Sequence, residues 1–143
     1  MSWLLTDVGI LKGTGYFELL PGRYTGKCWN AESVFLTEDA FAHVEPMVDK
    51  HRPGFDRYSF REIPRSQWMP IVADLSRMRD FLASEPTAAD VCDQVGFHSA
   101  SHKDVFVQDF GRNLSELHST FADLVRWIRE ILKSHDAISV LGL

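Results

Sequence analysis

The sequence has few of the features that mark a secreted, membrane-bound or disulfide-linked protein. No apolar run reaches the roughly 18 residues that span a membrane, and residues 1–7 lack the basic-then-apolar order of a secretory signal. The two cysteines, Cys28 and Cys92, lie far apart in the sequence and have no metal-like spacing. We therefore expect free thiols and a cytoplasmic location.

Catalytic motifs are also lacking. The sequence contains no nucleophile elbow, no glycine-rich phosphate loop and no HExxH motif. His98 and His102 are four residues apart, a spacing that suits a metal on one helical face, but a zinc site needs three or four protein ligands and no third one is evident. We accordingly expect no enzymatic activity and no bound metal or cofactor. A small metal-dependent enzyme is the least favoured alternative.

The composition is that of an ordinary globular domain. The chain has 143 residues, of which 45% are hydrophobic and 24% charged, and its formal net charge is -5 at pH 7. Residues 1–143 contain no repeat, low-complexity tract or linker, so we expect a single domain. Because nucleic acid is bound mostly through lysine and arginine, an acidic chain favours a basic protein as its partner.

The spacing of apolar residues predicts a mainly α-helical protein with a small β element. Glycine and proline punctuate the first third, where we expect short strands or irregular structure. A helix is predicted over about residues 38–50, but Pro46 should kink it or end it near His43. An alternating, strand-like segment follows at residues 58–63.

Three more helices are predicted in the second half of the chain. The first starts near residues 66–68 and has apolar residues at helical spacing over about four turns. The second is short, capped by Thr87 and stopped by Gly96, and the third opens near Asn113, whose side chain should cap it. Residues 138–143 are apolar and have high β-propensity, so we expect them to pack against the rest of the domain. Together these elements predict an α+β fold organised as a single-domain helical bundle.

Residues 33–68 carry the densest set of motifs. They contain the run SVFL, a Glu-Pro pair within the predicted helix, the turn PGFD and Trp68. The segment resembles the central part of bacterial immunity proteins, which protect cells from toxins of contact-dependent growth inhibition and related polymorphic toxin systems. The resemblance implies a protein that binds the C-terminal domain of one cognate toxin stoichiometrically, with no nucleic acid, membrane or small-molecule substrate as partner. It further implies a nuclease toxin, and an EndoU-like RNase is the preferred candidate.

Acidic residues are concentrated in the same segment. An acidic face there would cover the cationic cleft of a nuclease and block substrate entry. The candidate toxin-binding residues are Glu38, Asp39, Glu45, Asp49, Asp56 and Glu62. The alternative is a solvated helix face, with Glu38 and Asp39 placed to favour the helix dipole. Trp29, Tyr58 and Trp68 are either interface residues or, more commonly for such aromatics, core residues.

Residues 87–117 support a second interpretation. A short helix ending in VGF, a small-residue turn, a helix reaching Phe106 and a following Phe-Gly pair are similar to the second helix-turn-helix of AraC-type transcription regulators. That resemblance implies duplex DNA binding by a regulator fragment. A recognition helix needs cationic and amide side chains, whereas this one has Asp104 and Asp109 against Lys103 alone. DNA binding is therefore the alternative function.

Overall fold

The fold combines five α-helices with a four-stranded antiparallel sheet. The computed structural model describes residues 1–143. The strands are β1 (Tyr16–Pro21), β2 (Val34–Thr37), β3 (Phe60–Pro64) and β4 (Ala137–Leu141). The helices are α1 (Glu38–His51), α2 (Arg65–Ala83), α3 (Ala88–Gln94), α4 (Ala100–Gln108) and α5 (Phe110–Leu132). No helix has both the length and the apolar character needed to cross a bilayer.

The strand that comes last in the sequence lies inside the sheet. The strand order is β2-β1-β4-β3, and every neighbouring pair is antiparallel. Beyond β4, the amide of Gly142 donates to the carbonyl of Ser59, and the amide of Leu143 donates to that of Arg57. A Cβ on Gly142 would lie 2.2 Å from the Arg57 oxygen, so only glycine allows this close approach. The end of the chain therefore fixes the segment that leads into β3.

The hydrophobic core lies between one face of the sheet and helices α1, α2 and α5. It forms one cluster of 27 buried residues. Phe17 of β1 stacks on Phe41 of α1 with ring centroids 4.0 Å apart. The buried indole of Trp68 in α2 donates to the carbonyl of Ile138 in β4 at 3.0 Å. Large side chains that satisfy their polar groups in this way can be buried without a desolvation penalty.

The opposite face of the sheet is covered by the loop between β1 and β2. Glu18 of β1 is 2% exposed, and its carboxylate accepts four hydrogen bonds from this loop. The donors are the amides of Trp29 and Asn30, the side-chain amide of Asn30 and the hydroxyl of Ser33. Because a buried carboxylate is tolerated only when it is well hydrogen-bonded, Glu18 fixes the conformation of this loop.

The prediction of an α+β fold is confirmed, but the β part is a four-stranded sheet and is larger than the small element expected. The expected short helix after Thr87 is α3, and the segments expected to be strand-like near residues 58–63 and 138–143 contain β3 and β4. The helices form a layer on the sheet, so the description as a helical bundle applies to the helices alone. Cys28 and Cys92 are free thiols, as expected.

Two helix boundaries differ from the sequence-based expectation. Helix α1 does not end near His43, because it continues through Pro46 to His51. Helix α5 begins at Phe110, and Asn113 is already one turn inside it. The Asn113 side chain does not cap α5 but donates to the carbonyl of Phe106 at 3.0 Å, and so satisfies the end of α4.

The continuation of α1 through Pro46 is explained by the turn between α3 and α4. Proline has no amide to donate to Ala42 four residues earlier, which leaves the Ala42 carbonyl without its helical partner. Gly96 lies directly over this carbonyl, so close that a Cβ on Gly96 would be 2.3 Å from the oxygen. The neighbouring His43 side chain hydrogen-bonds the Gly96 carbonyl at 2.8 Å. The α3–α4 turn therefore docks where proline has opened the helix.

We predict that Gly96→Ala destabilises the protein by about 2 kcal/mol or more, because the new methyl group would overlap the Ala42 carbonyl and crowd Pro46. Gly111→Ala is the matched control, since no atom lies within 4 Å of its Cβ position and alanine favours the helix. Urea unfolding of both variants measures the difference. Equal stability of the two would contradict the docking contact.

Candidate functional site

Three of the predicted toxin-binding residues share one side of α1. Glu38, Glu45 and Asp49 follow one another at helical spacing. The guanidinium of Arg57 lies between the first two, 3.0 Å from the Glu38 carboxylate and 2.6 Å from that of Glu45. The hydrogen bond to Glu45, together with the charges of Glu45 and Glu38, raises the pKa of Arg57 despite its burial. Glu38 and Glu45 are thereby held in fixed positions.

The loop after α1 adds a fourth carboxylate. Asp49 accepts a hydrogen bond from the amide of Phe55 at 3.3 Å, which folds the loop back onto the helix. Asp56 accepts from the amide of Tyr58 at 2.9 Å, and both carboxylates are exposed. Glu38, Glu45, Asp49 and Asp56 form what we call the acidic α1 face. Arg57 contacts Glu38 and Glu45, whereas Asp49 and Asp56 form no ion pair, so two of the four carboxylates keep their charge uncompensated.

The other two predicted residues lie elsewhere. Glu62 is on strand β3, where it pairs with Arg23 at 2.9 Å. Asp39 lies on α1 but projects from a different side of the helix, and its carboxylate is 3.9 Å from Nδ1 of His102 on α4. The structure therefore gathers four of the six candidates into one face and separates Asp39 and Glu62 from it.

Asp39 borders a cavity that the sequence did not predict. The cavity has a volume of about 430 Å³ and lies between the N-terminal segment, α1 and α4. We call it the N-terminal cavity, and its walls include Trp3, Leu5, Asp39, Ala40, His43 and His102. Its residues come from three distant parts of the chain, so no local motif could have revealed it.

His43 supplies a hydrogen-bond acceptor to the N-terminal cavity. Its Nδ1 must carry a proton because its partner, the Gly96 carbonyl, can only accept. The lone pair of the neutral ring is therefore on Nε2. Burial lowers the pKa of His43 to about 4, with His102 acting in the same direction and Gly96 and Asp39 against it. A ring with so low a pKa is neutral at pH 7, so its Nε2 can accept a hydrogen bond but is a poor general base.

His102 is the residue of this cavity that has a buried nitrogen without a hydrogen-bond partner. Its Nδ1 is buried and has no hydrogen-bond partner, although its ring lies 5.1 Å from that of His43. His98 does not join it, because His98 precedes α4 and instead contacts Glu38 at 3.3 Å and Arg57 at 3.2 Å. The sequence spacing therefore misassigned this pair to one helical face. No group of three or more side chains is placed to hold a metal ion.

A second cavity of about 440 Å³ lies between α1 and α2, and its charged groups are already paired. The buried carboxylate of Asp74 contacts the side chains of Lys50, His51 and Arg77. Burial, Lys50 and Arg77 lower the pKa of His51, which agrees with a neutral ring that donates to Asp74. This cluster joins α1 to α2 and leaves no unpaired group for a ligand.

Helices α3 and α4 are two short helices joined by a turn, the order of elements that the pattern of residues 87–117 predicts. Thr87 and Ser99 cap the two helices through hydrogen bonds to amides three residues later. On α4 the side chains of Lys103, Asp104 and Val105 are exposed, and Val105 is 60% exposed. The outward surface of α4 therefore pairs one cation with one anion and an apolar residue.

The three aromatic residues singled out in the sequence have different environments. Trp68 is a core residue, and Trp29 is half-buried against Tyr16 and Phe35. Tyr58 is 69% exposed and follows directly after Arg57. Of the three, only Tyr58 is accessible to a partner beside the acidic α1 face.

No protein-family model matches the chain, and no curated protein or solved structure matches it either.

We predict that neutral His43 makes the fold sensitive to mild acid. Its pKa is lowered from 6.5 to about 4 on folding, so the unfolded chain binds the proton first as the pH falls. The stability that it contributes is complete above pH 6.5 and declines towards pH 4. Between about pH 7.5 and about pH 5 we expect a loss of about 2 kcal/mol from this group.

The measurement is urea unfolding at both pH values for the wild type and for His43→Gln. Glutamine can still donate to the Gly96 carbonyl but does not titrate in this range. A smaller pH-dependent loss in the variant supports the assignment, whereas the same loss in both proteins contradicts it.

Proposed function

We propose that the protein is an immunity protein that binds a cognate toxin domain through the acidic α1 face and neutralises it by occlusion. The observation that carries the proposal is the grouping of Glu38, Glu45, Asp49 and Asp56 on α1 and the loop that follows it, where Arg57 binds only the first two. The resemblance of residues 33–68 to immunity proteins supports the same function. The toxin we propose is a nuclease domain, with an EndoU-like RNase as the preferred candidate.

The acidic α1 face fits a cationic partner for two physical reasons. Its uncompensated carboxylates create a negative potential that accelerates association with a positively charged surface. Arg57, whose side chain is 21% exposed, holds Glu38 and Glu45 in place before binding. A preorganised site loses less side-chain entropy when the complex forms. Exposed Tyr58 beside this face supplies an aromatic contact of the kind that dominates binding energy.

Occlusion requires no turnover. A nuclease binds the phosphates of its substrate through cationic residues, and an acidic protein that covers those residues competes with the substrate directly. We place this activity in the cytoplasm, where the toxin would meet its nucleic acid substrate. Specificity would then come from the match of charges and from a few buried contacts.

The direct test is growth rescue by this gene in cells that express the toxin encoded beside it, combined with co-elution of the purified pair. We predict that Asp49→Lys, which reverses a charge within the acidic α1 face, weakens binding by about tenfold or more. Glu130→Lys is the control, since Glu130 is an equally acidic, 69% exposed residue near the far end of α5. Absence of both rescue and co-elution would contradict the proposed function. An equal effect of Asp49→Lys and Glu130→Lys on binding would show that the interface lies outside the acidic α1 face.

The alternative function is duplex DNA binding, which the helix-turn-helix of α3 and α4 supports. It requires Lys103 on the outward surface of α4, with Arg112 nearby in sequence, to contact phosphates. This alternative predicts salt-dependent binding to duplex DNA that weakens on Lys103→Ala. Because Asp104 and Asp109 oppose these cations, we expect a flat titration with duplex DNA at low salt. Tight binding reduced by Lys103→Ala would reverse the order of the two functions.

A further inference from the structure

We propose that the N-terminal cavity is a binding site for an organic cation, an alkylammonium or alkylguanidinium group held between Asp39, His43, His102 and the ring of Trp3. Cavities of about 300 Å³ and above are large enough to enclose small ligands, and this one has a volume of about 430 Å³. Its polar groups converge from the two helices α1 and α4, and its remaining wall is largely apolar. Such a combination is typical of a binding site.

The polar groups of the cavity suit a hydrogen-bond donor. Asp39 is an anion and only accepts, and the free nitrogen of neutral His43 also accepts. Nδ1 of His102 is buried, has no partner and lies 3.9 Å from the Asp39 carboxylate. That separation is too long for a direct hydrogen bond. A cationic N–H group beside Asp39 would donate to its carboxylate and to the free nitrogen of His43.

Trp3 forms an aromatic wall that is fixed in place. Its indole N–H donates to Glu116 of α5 at 2.7 Å, and its backbone amide donates to the hydroxyl oxygen of Thr120 at 2.8 Å. The ring lies 5.6 Å from the ring of His43, so it closes one side of the same cavity. The face of a tryptophan ring attracts a cation, most strongly when water is excluded. The Trp3 ring and the Asp39 carboxylate therefore both favour a positively charged ligand.

No lysine or arginine side chain lines the cavity, so none competes with a ligand for Asp39. This distinguishes it from the cavity between α1 and α2, where Lys50 and Arg77 already occupy the carboxylate of Asp74. It also distinguishes Asp39 from Glu38 and Glu45, which are paired with Arg57. Asp39 is the carboxylate that lies at the edge of the cavity, 56% exposed and without a lysine or arginine partner.

The same chemistry occurs in a free amine or guanidine and in a lysine or arginine side chain of a partner protein. The inference that a toxin side chain occupies the cavity rests on the proposed function. The acidic α1 face would then attract the toxin over a distance, and the cavity would bind one of its cationic side chains.

The first experiment titrates the protein with ethylguanidinium and follows the indole signal of Trp3 and the imidazole signals of His43 and His102 by NMR. We expect saturable shifts of all three that Asp39→Asn weakens by about tenfold or more. Asp80→Asn is the matched control, because Asp80 is 71% exposed on α2 and is remote from the cavity in sequence and contacts. Neutral ethylurea, which has the same shape without the charge, should cause no saturable shift. Absence of shifts with ethylguanidinium, or equal shifts with ethylurea, overturns the cation site.

The second experiment compares toxin binding by Asp39→Asn and Asp80→Asn. Loss of affinity in Asp39→Asn alone, combined with protection of the Trp3 signal in the complex, assigns the cation to a toxin side chain. If ethylguanidinium binds but Asp39→Asn leaves toxin affinity unchanged, the site accepts a free cation and the toxin assignment is wrong. If ethylguanidinium binds and no toxin does, the cation site stands and the proposed function fails.

Discussion

The contact between Gly96 and α1 determines where every candidate binding group lies. The turn that follows α3 rests on the Ala42 carbonyl and is held by the hydrogen bond from His43. This contact places α4, and with it His102, against one side of α1, while His98 reaches the other side. The N-terminal cavity and the acidic α1 face are therefore on either side of one docked turn. A proline that opens a helix, a glycine that permits close approach and a neutral histidine act together there.

The negative charge that this protein presents at its surface depends more on which carboxylates form ion pairs than on how many acidic residues it has. Six acidic residues between positions 38 and 62 suggest one continuous anionic surface, yet Glu62 is paired with Arg23 and two others share Arg57. An exposed ion pair contributes little to stability, but it changes which carboxylates a partner can reach. The groups that stay available are Asp49 and Asp56 on the surface and Asp39 in the cavity. In the proposed function, the surface carboxylates would attract a partner at long range and the cavity would bind it on contact.

Local sequence patterns predicted the helices and strands well, but they did not predict which residues contact each other in the tertiary structure. Thr87 identified the start of α3, and apolar spacing identified α2 and α5, because capping and amphipathicity are encoded within a few residues. The local sequence at Pro46 left a kink or an end of α1 open, because the residue that packs over the Ala42 carbonyl, Gly96, lies far away in sequence. The prediction that Asn113 caps α5 was wrong because its side chain donates to the carbonyl of Phe106 in the preceding helix, α4. The cavity of Trp3, Asp39, His43 and His102 has no local signature at all, since it exists only once three segments have packed.

The position of β4 between β1 and β3 has a consequence for how the chain reaches its native state. Leu19 pairs with Val140 and Arg61 pairs with Val140 from the other side, so both halves of the sheet depend on the most distant strand. Contacts between residues so far apart carry a large loop-closure entropy and slow the folding reaction. Until residues 137–141 join the sheet, those parts of α2 and α5 that pack on β4 stay uncovered. A newly made molecule therefore passes through a period of aggregation risk in which chaperones would be of most use.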